Sequence, residues 1–363
     1  MNVKRKLLQK LYSVTGLALE KWPVAPIVVQ PASEPVPQEI VESILAFYKQ
    51  VPPFYSAAVR PELQIGGAWR KNLLDRRKKQ LGCIESGDQT GYRQLLNRLF
   101  FDELIIGLWD NHYYAKEPRL HLNFFRDLKL FEQITGLDSS VLAKSDSWQR
   151  WGFSASGGII HYTDPIHGIQ ANMLNALARS LHKENIAIMD LGSGFGGAVE
   201  FLSNWSEQPL NMILVDIPLN LTTAYAYLGT NFGQNRVRLV TEAKSLSNIF
   251  PIENLSETIF TLVPTIFVKE LIQLQTIDIL HNAASFSEMD FLTVEYYIRT
   301  LVSSRLTYVV ETNSNRAGSL NYGGHEEVLS RDIERLLSDT HDLLARFPGR
   351  HFSRYVTSLY KAR

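Results

Sequence analysis

Apolar and polar residues alternate along the second half of the chain in a pattern that predicts strands separated by helices. Short continuous apolar runs are typical of strands buried on both faces, and segments with helical periodicity lie between them. The predicted strands are 186–189, 212–215, 258–263, 277–281, 306–311 and 355–360. Residues 237–240 are a rival for the third strand. A long amphipathic helix is predicted over 326–347, and the aromatic, glycine-rich segment 148–162 is expected to be a loop. This alternation predicts a parallel, doubly wound α/β sheet, with its ligand at the carboxyl ends of the strands.

The first half of the chain has a mainly helical pattern. Residues 3–22 form a basic amphipathic segment, which we expect to pack on its own protein or on a neighbouring subunit rather than on a membrane. Residues 23–37 hold five prolines and predict an extended connector. Candidate helices then follow at 38–50, 68–80, 88–109 and 119–136. The chain is predicted to have three parts. Residues 1–37 form a helix and a connector, residues 38–150 form a helical region, and residues 151–363 form an α/β domain.

A glycine-rich segment joins the first strand of the α/β domain to a helix. It reads DLGSGFGG over residues 190–197. Glycines suit a sharp turn whose backbone N–H groups approach a ligand. Asp216 ends the next strand, where an acid can accept hydrogen bonds from a pair of ribose hydroxyls. The unit therefore predicts an adenosine-like ligand, and the alternative is a loop that only turns a strand into a helix.

The glycine loop satisfies two nucleotide motifs. One is the dinucleotide motif G-x-G-x-x-G, formed by Gly192, Gly194 and Gly197. The other is D-x-G-x-G-x-G, typical of class I methyltransferases that use S-adenosylmethionine, formed by Asp190, Gly192, Gly194 and Gly196. A carboxylate at Asp190 would repel a pyrophosphate and attract a sulfonium or ammonium group. The acid therefore favours the methyltransferase motif, and a nicotinamide dinucleotide remains the alternative ligand.

Composition and charge narrow the class of partner. The chain has 363 residues, enough for two domains, and 37 basic residues balance 37 acidic ones. No overall field attracts nucleic acid, so a neutral small molecule or carbohydrate is the expected substrate. The single cysteine, Cys83, excludes an internal disulfide. No apolar run reaches the roughly 18 residues of a membrane span and no signal-peptide core is visible, which predicts a cytoplasmic protein.

From about Trp151 onward the chain resembles the bacterial sugar O-methyltransferases of the class I superfamily. The resemblance rests on DLGSGFGG at 190–197, VDIP at 215–218, ASFSEM at 284–289 and VETNSN at 310–315. It implies a seven-stranded Rossmann-like methyltransferase sheet of order 3-2-1-4-5-7-6, next to the helical N-terminal region. It also implies S-adenosylmethionine as methyl donor and the hydroxyl of a sugar or nucleotide sugar as acceptor.

The motif residues and strand ends give a set of predicted cofactor contacts. They are Asp190, Gly192, Ser193, Gly194, Gly196, Asp216, Ile217 and Asn282. A sugar hydroxyl is a poor nucleophile and needs a base to remove its proton. We expect that base after the fourth or fifth strand, where Glu288 and His325 lie. Each residue also has an alternative to a catalytic role. Glu288 could cap the next helix or hold the cofactor loop, and His325 could be a solvated residue. No metal ligands are predicted.

Other polar residues and other functions stay open. His161 and His167 are candidate bases or substrate contacts, or else structural histidines. Asn313 and Asn315 suit either hydroxyl recognition or a turn. A nicotinamide-dependent oxidoreductase would share the glycine loop, but no Tyr-x-x-x-Lys pair follows the fourth strand, since Tyr296 is followed by Thr300 at that offset. A non-catalytic subunit with the same fold, and a homo-oligomer, are also left open.

Overall fold

The computed structural model describes most of the chain. The described residues are 27–30, 35–51, 77–101, 118–144, 148, 150–155, 157–252, 255–316, 326–349 and 354–363. The predicted helix at 3–22, most of the one at 68–80 and the candidate base His325 lie outside these ranges.

Strands form two sheets in the described part of the chain. In chain order they are β1 (Ile27–Gln30), β2 (Arg150–Ala155), β3 (Gly158–Ile160), β4 (Ile186–Leu191), β5 (Leu210–Asp216), β6 (Val237–Leu239), β7 (Ile259–Pro264), β8 (Ile279–Ala283), β9 (Tyr308–Ser314), β10 (His341–Pro348) and β11 (Tyr355–Ala362). The large sheet has the order β6-β7-β5-β4-β8-β9-β11-β10. Its strands pair in parallel, except that β11 is antiparallel to both β9 and β10.

This order confirms the doubly wound methyltransferase-like fold. From β7 to β10 it is the 3-2-1-4-5-7-6 arrangement implied by the resemblance. The two segments predicted as alternatives for the third strand, 258–263 and 237–240, both form strands. The first contains β7, which pairs with β5, and the second contains β6, which pairs with the outer edge of β7. The described sheet therefore has eight strands instead of the expected seven.

Helices cover both faces of the large sheet. In chain order they are α1 (Gln38–Gln50), α2 (Lys78–Ser86), α3 (Gln89–Asn97), α4 (Pro118–Thr135), α5 (Asp164–Ser180), α6 (Gly197–Trp205), α7 (Pro218–Phe232), α8 (Leu246–Ile249), α9 (Val268–Leu274), α10 (Phe291–Val302) and α11 (Ser330–Leu337). None of the described helices combines the length and the hydrophobicity needed to cross a bilayer.

Side chains alternate between two apolar cores, one on each face of the sheet. Ile188 and Ile279 point to the face covered by α5, α6 and α7, whereas Met189 and Leu280 point to the face covered by α9, α10 and α11. The N-terminal helices belong to the first face, where α1 packs on α7 and α4 packs on α5. The helical region and the sheet therefore share one apolar core.

Two sequence predictions are wrong in this part of the fold. A long helix was expected over residues 326–347, but α11 ends at Leu337 and residues 341–348 form β10, which pairs with β11. Backbone pairing with a neighbouring strand overrides the helical periodicity of this segment. The aromatic segment 148–162, expected to be a loop, contains the antiparallel pair β2 and β3.

Candidate functional site

The glycine loop lies at the carboxyl ends of β4 and β5. Gly192 follows β4 with φ +79°, and its N–H donates to Val215 O at 2.7 Å. A Cβ placed on Gly192 would stand 2.1 Å from Ser285 Oγ. The loop is therefore pressed against the segment that follows β8, and no side chain fits between them.

Gly194 lies on the same loop but has different surroundings. Its φ is +57°, and a Cβ placed there would meet no atom of the described residues within 4 Å. The N–H of Gly194 donates to Asp216 Oδ2 at 2.8 Å. The loop therefore has an open side, and the predicted ribose-binding acid is bonded directly to the residue that borders it.

Asp216 is held by three hydrogen bonds. Besides the Gly194 N–H, the Ile217 N–H donates to its Oδ1 at 2.7 Å, and Asn220 Nδ2 donates to the same oxygen at 2.9 Å. Pro218 begins α7 directly after this turn, and its fixed φ suits the first helical position. Burial raises the pKa of Asp216 to about 6, the charge of Asp190 adds to the rise, and the three hydrogen bonds oppose it.

Asp190 contacts a histidine that the sequence did not single out. Asp190 on β4 is the register neighbour of His281 on β8, and His281 Nδ1 lies 2.8 Å from Asp190 Oδ1. Both side chains are buried, with His281 only 1% exposed. The sequence showed His281 only as the end of a strand, because the register between strands 91 residues apart has no local signal.

Asn282 joins the segment after β8 to the glycine loop. Its Nδ2 donates to Leu191 O at 2.6 Å, and its Oδ1 accepts from Phe286 N at 3.1 Å and from Asn313 Nδ2 at 3.0 Å. Asn313 is buried and accepts from Ser287 N. Both asparagines thus hold the backbone around the site, and a role of Asn282 toward a cofactor stays a prediction.

The other predicted site residues lie around the same loop. Ser193 Oγ is buried and has no hydrogen-bond partner among the described residues. Gly196 has φ +88° and precedes α6. Glu288 is half-buried in the turn after β8, with its backbone N–H bonded to Ser285 O. Glu288 and His325 stay predictions as bases. No cluster of three or more histidine, cysteine or acidic side chains that could hold a metal occurs among the described residues.

Aromatic rings from Phe100 of the N-terminal region and from the α/β domain pack around Phe195 of the glycine loop. The ring of Phe195 contacts the rings of Phe100, His167 and Tyr227, with centroids 5.0–5.8 Å apart. Trp151 Nε1 donates to Phe100 O at 2.8 Å, and the Trp151 ring packs edge-on against His161. Both candidate histidines are therefore part of this packing.

A buried polar chain reaches from α2 toward Asp216. Arg77 Nη1 donates to Gln80 Oε1 at 2.7 Å, and its Nη2 lies 3.4 Å from Asn220 Oδ1. Tyr92 OH donates to Thr222 Oγ1 at 2.8 Å. Since Asn220 also bonds Asp216, the helical region contributes to the position of the acid.

The surroundings of the two glycines predict unequal losses of stability when a methyl group is added. Gly192→Ala should lower the free energy of unfolding by more than about 3 kcal/mol, because two costs add. The new Cβ clashes with Ser285, and the left-handed backbone is strained for any residue other than glycine. Gly194→Ala should cost only about 1–2 kcal/mol, the cost of the backbone alone. Urea denaturation of both variants measures the difference, and equal losses would contradict this description of the loop.

Comparisons with known proteins give matches among solved structures. No protein-family model and no curated protein matches the sequence. The magnesium protoporphyrin IX methyltransferase of Synechocystis PCC 6803, with bound S-adenosylhomocysteine, is 12% identical with a TM-score of 0.38, covering 57% of this chain and 89% of that one. The N-methyltransferase NodS of Bradyrhizobium japonicum WM9, in complex with S-adenosyl-L-homocysteine, is 14% identical with a TM-score of 0.37, covering 65% and 98%. Both of these proteins are methyltransferases.

Proposed function

We propose that the protein is an S-adenosylmethionine-dependent O-methyltransferase that acts on a sugar hydroxyl. The observation that supports the donor is the pair of buried carboxylates, Asp190 and Asp216, on either side of a glycine loop with an open side at Gly194. A ligand with a ribose hydroxyl pair at one end and a cationic group at the other matches this pair.

The described residues fit such a donor. In this proposal Asp216 accepts from the ribose hydroxyls and Asp190 supplies negative charge toward the cationic end; the hydrogen bond between Gly194 and Asp216 and the open space at Gly194 support it. When bound, S-adenosylmethionine supplies a methyl carbon activated by positive sulfur. The protein then has to orient the acceptor in line and remove its proton, for which Glu288 or His325 is proposed.

The sugar acceptor is supported by the sequence. The resemblance of residues 284–289 and 310–315 to sugar O-methyltransferases suggests it, and the balanced charge of the chain suits a neutral carbohydrate. The proposal keeps the cytoplasmic location expected from the sequence. Incubation with S-adenosylmethionine and a panel of free and nucleotide-linked sugars, read by a mass increase of one methylene unit, tests the acceptor.

A nicotinamide-dependent oxidoreductase is the second candidate, since it would use the same glycine motif. Two observations disfavour it. The antiparallel β11 lies between β9 and β10, whereas dinucleotide-binding sheets have the order 3-2-1-4-5-6. Asp190 is buried beside the loop, where its charge opposes a pyrophosphate.

Calorimetric titration separates the two candidates. We expect the purified protein to bind S-adenosylhomocysteine and not NAD⁺ under the same conditions. Binding of NAD⁺ alone would overturn the methyltransferase proposal. Binding of S-adenosylhomocysteine without methylation of any sugar in the panel would retain the donor and overturn the sugar acceptor for that panel.

A further inference from the structure

An asparagine in the first turn of α7 holds Asp216 by its side chain. Asn220 is buried, and its Nδ2 donates to Asp216 Oδ1 at 2.9 Å. The backbone N–H groups of Gly194 and Ile217 donate the other two hydrogen bonds to this acid, and the loop and the turn fix both groups in place. The Asn220 amide can rotate, so its orientation depends on the group that lies on its other side.

Arg77 lies on the other side of Asn220 and determines which way the amide faces. Arg77 is 2% exposed, and its Nη2 lies 3.4 Å from Asn220 Oδ1. A guanidinium only donates hydrogen bonds, and a carboxylate only accepts them. Between Arg77 and Asp216 the amide therefore has its oxygen toward the guanidinium and its NH2 group toward the acid. The reversed amide would place two donors together on one side and two acceptors together on the other.

We infer that Arg77 and Asn220 are positioning residues for the donor, because they hold the Asp216 carboxylate in the orientation that accepts from the ribose. This inference rests on the proposed function. Neither side chain touches the ligand, since Asn220 acts through Asp216 and Arg77 acts through Asn220. Arg77 directly precedes α2 and lies 143 residues from Asn220 in sequence. The helical region is then part of the donor site as well as part of the shared apolar core.

A double-variant cycle tests whether Arg77 acts through Asn220. Asn220→Leu keeps most of the side-chain volume and removes both amide contacts, and Arg77→Met removes the guanidinium. At pH 7.5 we expect calorimetry to show about tenfold weaker binding of S-adenosylhomocysteine by Asn220→Leu and about fivefold weaker binding by Arg77→Met. The double variant should bind as well as Asn220→Leu alone, because Arg77 then has no amide to orient.

Two outcomes of this cycle would overturn the inference. One is an unchanged affinity in Asn220→Leu. The other is additive losses, about 50-fold in the double variant, which would make the two residues independent. Asn220→Ser keeps a small polar group in the buried position and is too short to span both partners. It replaces Asn220→Leu in the same cycle, with the same criteria, should the leucine variant fail to fold.

The pH dependence of binding separates a hold on the carboxylate from a general loosening of the site. Burial raises the pKa of Asp216 to about 6, and the hydrogen bond from Asn220 opposes that rise because it favours the ionised form. Asn220→Leu should therefore move the pH midpoint of S-adenosylhomocysteine affinity from about 6 to about 7. An unmoved midpoint would overturn the inference. The variant keeps the other charged and titratable groups around the acid, which are Asp190 with its partner His281, Tyr297 and Arg77.

Asn231→Leu is the matched control, because Asn231 is an asparagine of the same helix that also bonds a residue of the helical region. It accepts from Trp148 Nε1 at 2.9 Å, about three turns along α7 from Asn220. It should leave the affinity and the pH midpoint unchanged. Equal changes in both variants would overturn the inference, since any loosening of α7 would then suffice. A wild-type protein that does not bind S-adenosylhomocysteine would overturn the proposed donor itself, which distinguishes the two failures.

Discussion

Replacing Asp216 with asparagine should weaken the binding of S-adenosylhomocysteine about 100-fold at pH 7.5. The variant removes the charge proposed to accept from the ribose hydroxyls, and hydrogen bonds to a charged group contribute about 1.5–3 kcal/mol each. An amide at this position also turns its NH2 group either toward the Gly194 N–H, which donates to Oδ2, or toward the Ile217 N–H and Asn220 Nδ2, which donate to Oδ1, so one set of donors loses its acceptor. Isothermal calorimetry on the two proteins measures the change.

The wild-type affinity should also depend on pH. The pKa of Asp216 is raised to about 6, so the carboxyl is ionised at pH 7.5 and mostly protonated at pH 5.0. If the ligand binds the ionised form, its affinity falls about tenfold between these two values. Asp216→Asn has no such group to titrate, and its weak binding should stay nearly constant over the same range.

The raised pKa also affects the stability of the ligand-free protein. The folded state holds this proton more tightly than the unfolded chain, whose carboxyl has the ordinary value of 3.8. The stabilising contribution of the proton is complete below about pH 4 and is lost as the pH rises through about 6, a change of about 3 kcal/mol. Ligand hydroxyls that donate to the ionised carboxylate would offset part of this cost.

Asp278→Asn is the control for a buried aspartate of the same sheet. Asp278 lies at the amino end of β8, where it accepts from Ala187 N at 3.0 Å and pairs with Lys183. The variant should lower stability and leave the affinity of the folded protein for S-adenosylhomocysteine unchanged. Equal loss of affinity in both variants would show that the effect of Asp216 is one of folding and not of ligand binding.

Local patterns predicted the elements that hold the candidate cofactor site. The run Ile186–Leu191 is buried on both faces, as its continuous apolar pattern indicates, and the glycine loop and Asp216 meet through the Gly194 N–H. These features depend on neighbours within about 30 residues along the chain. They could therefore be inferred from residue type and spacing.

Long-range contacts could not be predicted in the same way. The pairing of Asp190 with His281 depends on strand register, and the contact of Arg77 with Asn220 spans 143 residues. The segment 341–348 was misassigned because its partner β11, and not its own periodicity, determines its conformation. In each case the deciding interaction lies with a distant segment.

A buried ion pair joins the N-terminal region to the helix that follows the glycine loop. Lys144 Nζ pairs with Glu200 Oε2 on α6, and both side chains are at most 10% exposed. Tyr227 OH donates to the same oxygen, and Asn231 Nδ2 lies 3.5 Å from Oε1. The Lys144 ammonium also lies 3.8 Å from the centre of the Phe201 ring.

Lys144→Met should therefore lower the free energy of unfolding by about 3–5 kcal/mol at pH 7.5. The substitution keeps most of the side-chain volume and leaves the Glu200 carboxylate buried without its cation, which is the costly part of breaking such a pair. Urea denaturation measures the loss.

The double variant Lys144→Met with Glu200→Gln isolates the charge as the cause. A neutral amide at Glu200 needs no cation and can still accept from the Tyr227 hydroxyl, so the double variant should recover more than half of the lost stability. If the double variant is as unstable as the single one, packing of the Lys144 chain on Phe201 would be the larger contribution.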